Sequence, residues 1–258
     1  MAAIIELANI TKTFGGVRAV DAISFPVEPG ELMGLIGPNG AGKTTVFNLI
    51  TGVYDPDQGN IVFDGVDITP LRAYEVIRRG IARTFQNLRL FQRSTVLENV
   101  MTAAQNGFPY AFWEGVTHLG RWRGTERKIR ERSMELLDRV GLADRALQDA
   151  GTLPYGYQRR LEIARALSLA PKLLLLDEPA AGMNPEEVFA LNDLITGIHR
   201  DFGLTIIVIE HHMELVMEIC PHIVCMNFGA KMAEGGPEEI QRQPEVLKAY
   251  LGDEEETA

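Results

Sequence analysis

Between the apolar run Leu32-Met33-Gly34-Leu35-Ile36 and a stretch carrying Val46, Phe47, Leu49 and Ile50 stands Gly37-Pro38-Asn39-Gly40-Ala41-Gly42-Lys43-Thr44. The spacing is G-x-x-x-x-G-K-[ST], that of a phosphate-binding P-loop. The first run reads as a buried strand and residues 44–51 as the start of a helix, so the chain must turn sharply from one into the other. Such a turn aims consecutive backbone N–H groups and the positive end of the helix dipole at one point, where an anion of several charges belongs. The glycines remove Cβ atoms that would hold phosphates at a distance. Lys43 then reaches the β- and γ-phosphates, and the Thr44 hydroxyl ligates Mg²⁺.

The 258 residues suffice for one large domain or a domain with sub-lobes. A net charge of −10 argues against a nucleic-acid surface as the main business, and the run Asp253-Glu254-Glu255-Glu256 reads as a solvated, frayed end. The two cysteines, Cys220 and Cys225, form no disulfide framework, have no zinc-ligand spacing, and fit buried apolar positions in a reducing compartment. No apolar run approaches the ~18–20 residues that cross a bilayer. Residues 1–10 carry Glu6 and no basic region, so they do not read as a secretory signal. A cytoplasmic location is expected, with any membrane contact made through a partner.

Residues 4–10 and 17–27 suggest short antiparallel strands, and Asp64-Gly65 between Ile61-Val62-Phe63 and Val66-Asp67-Ile68 signals a hairpin. A small β-meander is therefore expected from both sides of the P-loop. Residues 70–152 look mainly helical after the polar junction at Thr84 to Gln92; over 125–140, Ile129, Leu136, Leu137 and Val140 share one face, and Gly141 stops the helix. Residues 105–124 hold Phe108, Tyr110, Phe112, Trp113 and Trp122, readable as a pinned loop or as part of a docking surface. The four leucines 173–176 read as a strand buried in a parallel sheet. Asn184-Pro185-Glu186-Glu187 reads as a helix start, with Asn at N-cap, Pro at N1 and Glu at N3. A further buried strand over 204–209, a hairpin around Phe228-Gly229 and a last helix over 237–251 complete the pattern.

Asp177 ends the leucine strand, where an aspartate paired with a P-loop supplies the second carboxylate of a Mg²⁺–nucleotide site. Glu178, beside it, is placed to polarise a water for attack on the γ-phosphate.

Together these residues resemble the nucleotide-binding subunits of ABC transporters, over about residues 4–252. The stretch Leu153-Pro154-Tyr155-Gly156-Tyr157-Gln158-Arg159-Arg160-Leu161-Glu162-Ile163-Ala164-Arg165 sits where that family has its signature motif. The resemblance implies an α/β P-loop NTPase core with a mostly parallel sheet, an antiparallel β-subdomain (about 1–30 and 55–70) and an inserted helical subdomain (about 88–165), in a single domain over 1–252 followed by an acidic tail at 253–258. It implies ATP and Mg²⁺ as ligands, with Glu178 as base, His211 on the γ-phosphate, and Lys43 in the catalytic set. Phe14 would stack on adenine. Gly37, Pro38, Asn39, Gly40, Ala41, Gly42, Lys43, Thr44 and Thr45 would hold the phosphates. Thr44, Gln86 and Asp177 would face the metal, and Tyr155, Gly156 and Tyr157 would cap the nucleotide of a second ATPase subunit, closing an ATP sandwich.

The sequence departs from the family pattern at Pro154, where a Ser is usual, at Tyr155 and Tyr157, which replace Gly and Gln, at Asn184, which replaces Asp, and at His212, which also replaces Asp. Its Arg83-Thr84-Phe85-Gln86, Ile209-Glu210-His211 and Val246-Leu247-Lys248-Ala249-Tyr250-Leu251-Gly252 resemble the ATPases of branched-chain amino acid importers, whose relatives import urea and short amides. That resemblance implies two integral-membrane permease subunits, a periplasmic or extracellular solute-binding protein, no nucleic acid, and a peripheral place on the cytoplasmic face of the membrane. A soluble ABC ATPase of non-transport function would fuse two cassettes or insert long coiled coils, and this chain has one cassette and no long heptads.

Overall fold

Alternation places Ile5 and Leu7 of β1 (Ile5–Phe14) and Ile23, Phe25 and Val27 of β2 (Val17–Val27) in the interior, and register shifts between the two strands bury Ile10 and Val20 as well. The structure is a computed structural model describing residues 2–105, 122–210 and 213–255. All five residues of β3 (Leu32–Ile36) are buried, and α1 (Lys43–Ile50) follows from the glycine loop. The Asp64-Gly65 turn joins β4 (Gln58–Phe63) to β5 (Val66–Asp67), antiparallel as the sequence leads one to expect. Next come α2 (Ala73–Arg79) and β6 (Ile81–Arg83). This strand stands just ahead of the polar junction at 84–92, and the sequence carries no strand signal for it: at three residues it is too short to show a period, and its place is decided by pairing with β7.

The helices α3 (Val96–Ala104), α4 (Trp122–Arg139) and α5 (Tyr155–Leu167) follow. Ile129, Leu136, Leu137 and Val140 are buried as the periodicity demands. Most of the aromatic stretch 105–124 lies outside the described residues. The leucine strand is β7 (Leu173–Asp177), and α6 (Pro185–Phe202) opens with the expected cap. Asn184 Oδ1 accepts from Glu187 N at 3.0 Å while Glu187 Oε2 accepts from Asn184 N at 3.0 Å. The chain ends with β8 (Thr205–Ile209), α7 (Met213–Ile219), β9 (His222–Asn227), β10 (Ala230–Gly235), α8 (Pro237–Gln241) and α9 (Pro244–Glu255). The single last helix expected over 237–251 is thus two, because Pro244 lacks the N–H that would continue α8 and disfavours helical backbone at Gln243. Helix α7 had no clear signal in the sequence.

Two compact units result. The first comprises the residues up to Arg83, Lys172–Ala180, and those from Ile195 onward. It contains a four-stranded antiparallel sheet, order β2-β1-β4-β5, and a six-stranded sheet, order β10-β9-β3-β8-β7-β6. The latter is parallel from β9 to β6, with β10 antiparallel at its edge. One apolar cluster runs from Ile5, Phe25 and Phe63 through Val46, Phe47 and Ile50 of α1 to Leu175 and Ile207. Burying α1 on both sides fixes where its N-terminus points. The second unit, Thr84–Pro171 with Ala181–Leu194, is helical among its described residues.

Candidate nucleotide site

The glycine loop is shaped by close backbone approaches. A Cβ at Gly37 would lie 2.2 Å from Met226 O, and one at Gly42, where φ is +98°, would lie 2.3 Å from Ala19 O. Any side chain there would push apart the loop and the strands behind it. Gly229 N donates to Ala41 O at 3.0 Å, tying the loop to the β9–β10 turn. Gly42 is the N-cap of α1, and no side chain caps that helix. Its first N–H groups are therefore offered to whatever anion the loop holds. Gly37 and Ala41 are buried, Pro38 and Thr45 are half-buried, and Asn39, Gly40 and Thr44 are exposed.

Lys43 folds back over the loop, its Nζ donating to Gly37 O at 2.6 Å and Pro38 O at 2.9 Å, and it is only 5% exposed. Burial pulls its ammonium below the usual lysine range, while the nearby carboxylates, Glu178 first and Asp177 next, work against that shift.

Asp177 is 2% exposed at the end of β7, opposite Ile209 in the register. Arg83 Nη2 donates to its Oδ2 at 2.6 Å, and Arg83 Nη1 donates to Asn48 Oδ1 of α1 at 2.7 Å. One guanidinium therefore links the strand-end carboxylate to the P-loop helix. Glu178 follows with φ +45°, uncommon for a residue with a Cβ and a frequent mark of a functional site. Its N–H donates to Ile209 O at 2.9 Å, and Ala180 N donates to Glu210 Oε1 at 2.8 Å. The turn carrying Glu178 is thus fastened to the end of β8. His211, the next residue in the chain, lies outside the described residues.

Phe14 closes β1 with 40% of its surface exposed. Tyr54 meets it edge-on with ring centroids 5.1 Å apart, and Lys12 Nζ stands 5.6 Å from its centroid. Asp57 holds this corner by accepting from Lys12 Nζ at 2.9 Å and from Thr13 N at 2.7 Å.

In the second unit the signature stretch opens α5, whose N-cap is Pro154 and which has no side-chain cap. Tyr155 is exposed, and Gly156 is half-buried; a Cβ on Gly156 would lie 3.1 Å from Glu187 Oε1. The Tyr157 ring lies between Arg145 and Arg160, at 4.6 and 5.7 Å, within its own unit. Gln86 is exposed, but its backbone is held from below. Arg159, 2% exposed, donates to Phe85 O at 2.7 Å, to Gln86 O, and to Glu162 Oε2 at 3.1 Å, while Phe85 N donates to Glu162 Oε1 at 3.1 Å. Burial pushes the Glu162 carboxyl up, against the N–H of Phe85 and the charge of Arg159. The signature helix and the backbone of Gln86 are one hydrogen-bonded body.

Arg83, Tyr54, Glu210 and Arg159 are positions that motif reading passes over. For Arg83 and Glu210 the available signal is a charge that ends or directly follows a short apolar strand. The donor set at Asp177 and Thr44 consists of hard oxygens, as Mg²⁺ prefers, and no group of three or more His, Cys, Asp or Glu side chains that could cage a metal occurs among the described residues.

Residues 20–181 match the family described as ABC transporter, and residues 230–256 match that described as branched-chain amino acid ATP-binding cassette transporter. The chain is 45% identical over 250 residues to the high-affinity branched-chain amino acid transport ATP-binding protein BraF of Pseudomonas aeruginosa, covering 97% of this chain and 98% of that protein. It is 40% identical to LivG of Escherichia coli, of the same description, with the same coverage. Among solved structures, the ADP conformation of MJ1267, an ATP-binding cassette of an ABC transporter, superposes with a TM-score of 0.85 at 31% identity, covering 98% of this chain and all of that one. The dimeric post-hydrolysis cassette MJ0796, bound to ADP and Pi, gives 0.76 at 26% identity, covering 90% of this chain and 98% of that one. With its glycine loop, strand-end Asp-Glu pair and signature helix all in place, the chain belongs to the ABC transporter family, as an ATP-binding subunit.

Proposed function

We propose that this chain is the ATP-hydrolysing motor of an importer of branched-chain amino acids. The substrate class is supported by the match over residues 230–256 and by the names of the 40–45% identical relatives. The catalytic reading is carried by one observation: Glu178 directly follows the buried Asp177 in a strained turn, within electrostatic reach of Lys43. The loop 37–44 and Thr45 bind the phosphates, with Lys43 leaving its two loop carbonyls for them. Phe14 stacks on the adenine. Thr44 and Asp177 would hold Mg²⁺, with Gln86 beside it, and the ion would neutralise phosphate charge. Glu178 takes the proton of the attacking water, and His211 contacts the γ-phosphate.

A second ATPase subunit supplies the other half of each site. Its segment corresponding to Tyr155, Gly156 and Tyr157 presents the uncapped N-terminus of a helix to the γ-phosphate, so ATP joins the two subunits and hydrolysis releases them. That motion drives two permease subunits that receive solute from a binding protein. No helix among the described residues is long and apolar enough to cross a membrane, which suits a peripheral subunit on the cytoplasmic face.

Glu178→Gln tests this reading. The variant is expected to bind ATP as the parent does, to lose turnover, and to accumulate as a closed dimer in size-exclusion chromatography with ATP. Parental hydrolysis by that variant would remove Glu178 from the role of base.

A further inference from the structure

Glu210 is a carboxylate with no exposed surface at the end of an entirely buried strand. Burying such a group is costly unless hydrogen bonds and charges compensate it. The compensation here is specific. Ala180 N donates to Glu210 Oε1 at 2.8 Å, and Lys43 lies near enough for Glu210 to oppose the fall of its pKa. One residue before Glu210 and two before Ala180, Glu178 N donates to Ile209 O at 2.9 Å. The ends of β7 and β8 are therefore cross-tied twice in succession, first backbone to backbone and then backbone to side chain. Glu178, which makes the first of these ties, has a φ of +45° that its Cβ disfavours. A residue stays in that region only where its surroundings over-determine it.

We infer that Glu210 is a positioning residue for hydrolysis: by accepting the Ala180 N–H it locks the turn that holds the Glu178 carboxylate in place. The inference rests on the reading of Glu178 as the base. It assigns Glu210 a hydrogen-bonding task and not merely a charge, and the two can be separated. Gln keeps the length and an acceptor oxygen but loses the charge, whereas Asp keeps the charge but is one methylene too short to reach Ala180 N.

The full chain is assayed as Glu210→Gln and Glu210→Asp, with Glu178→Gln alongside. Glu210→Asp is expected to lower kcat for ATP roughly tenfold to a hundredfold, the cost of a small misplacement of a catalytic group. KM should stay near the parental value, and the Ala180 amide should exchange its hydrogen faster. Glu210→Gln is expected to keep most of the turnover and the slow Ala180 exchange. Parental kcat in Glu210→Asp, or equal losses in both variants, would overturn the assignment while a dead Glu178→Gln leaves the base in place. Parental turnover in Glu178→Gln would instead overturn the base reading, and the role of Glu210 with it.

Discussion

Arg83 Nη2 and Asp177 Oδ2 are 2.6 Å apart, in an ion pair whose side chains are 6% and 3% exposed. Both lie beyond effective solvent screening, so the pair is strong in place and costly to break. The same guanidinium bonds Asn48 on α1 and lies over the Phe47 ring, its central carbon 5.5 Å from the centroid. It therefore fixes the carboxylate expected to face the metal relative to the helix that carries the phosphate loop. Replacing Arg83 by Met should lower stability by about 3–5 kcal/mol, the range for removing one partner of a buried pair. Urea unfolding measures this. A loss below about 1 kcal/mol would class the pair with exposed ones.

Phe14→Ala should weaken ATP binding by ~1–3 kcal/mol, the range for a base stacked on an aromatic ring. Tyr54→Ala should weaken it less, because its edge-on contact orients Phe14 and is worth about 0.5–1.5 kcal/mol. Titration with a fluorescent ATP analogue reads both. Unchanged affinity in Phe14→Ala would leave the ring as surface packing only.

His222 joins the beginnings of two elements and should make stability depend on pH. Its Nδ1 bonds Glu31, and its Nε2 lies 3.1 Å from Glu234 Oε1. The bond to Glu31 raises the His222 pKa, against burial. Burial pushes Glu31 up, but the bonds from His222 and from the Glu28 N–H outweigh it and leave its pKa lowered. A raised histidine stabilises the fold fully below its unfolded value of about 6.5, and that contribution is lost as pH rises through the folded value. A lowered glutamate stabilises above its unfolded value, and that contribution is lost as pH falls through the folded one. The advantage of the parent over His222→Gln should therefore be largest in mildly acidic solution and shrink on both sides. Urea midpoints across pH measure this, and a constant difference up to pH well above the histidine range would rule out the charged pair.

Local chemistry wrote much of this protein into its sequence. The glycine loop reads directly because only a strand–turn–helix with bare Cα atoms gives that spacing a purpose. Asn184 and Glu187 announce a helix start because a cap is satisfied within four residues. The leucines of β7 and the Asp64-Gly65 hairpin are legible for the same reason. Strand β6 and the break at Pro244 were harder. Three residues carry no period, and a helical pattern of apolar residues continues across a proline that the backbone cannot follow.

What the sequence alone determined is the glycine loop with the strand before it and the helix after it, and the strand-end Asp177-Glu178 pair, all set by neighbours in the chain. Only the tertiary structure decided how those groups are held. Arg83 meets Asp177 across 94 positions, Arg159 reaches Gln86 O across 73, and Glu210 receives Ala180 N across 30. No local pattern encodes such pairs. Each exists because a polar group carried into the interior by packing must find its partner there, wherever in the chain that partner happens to be.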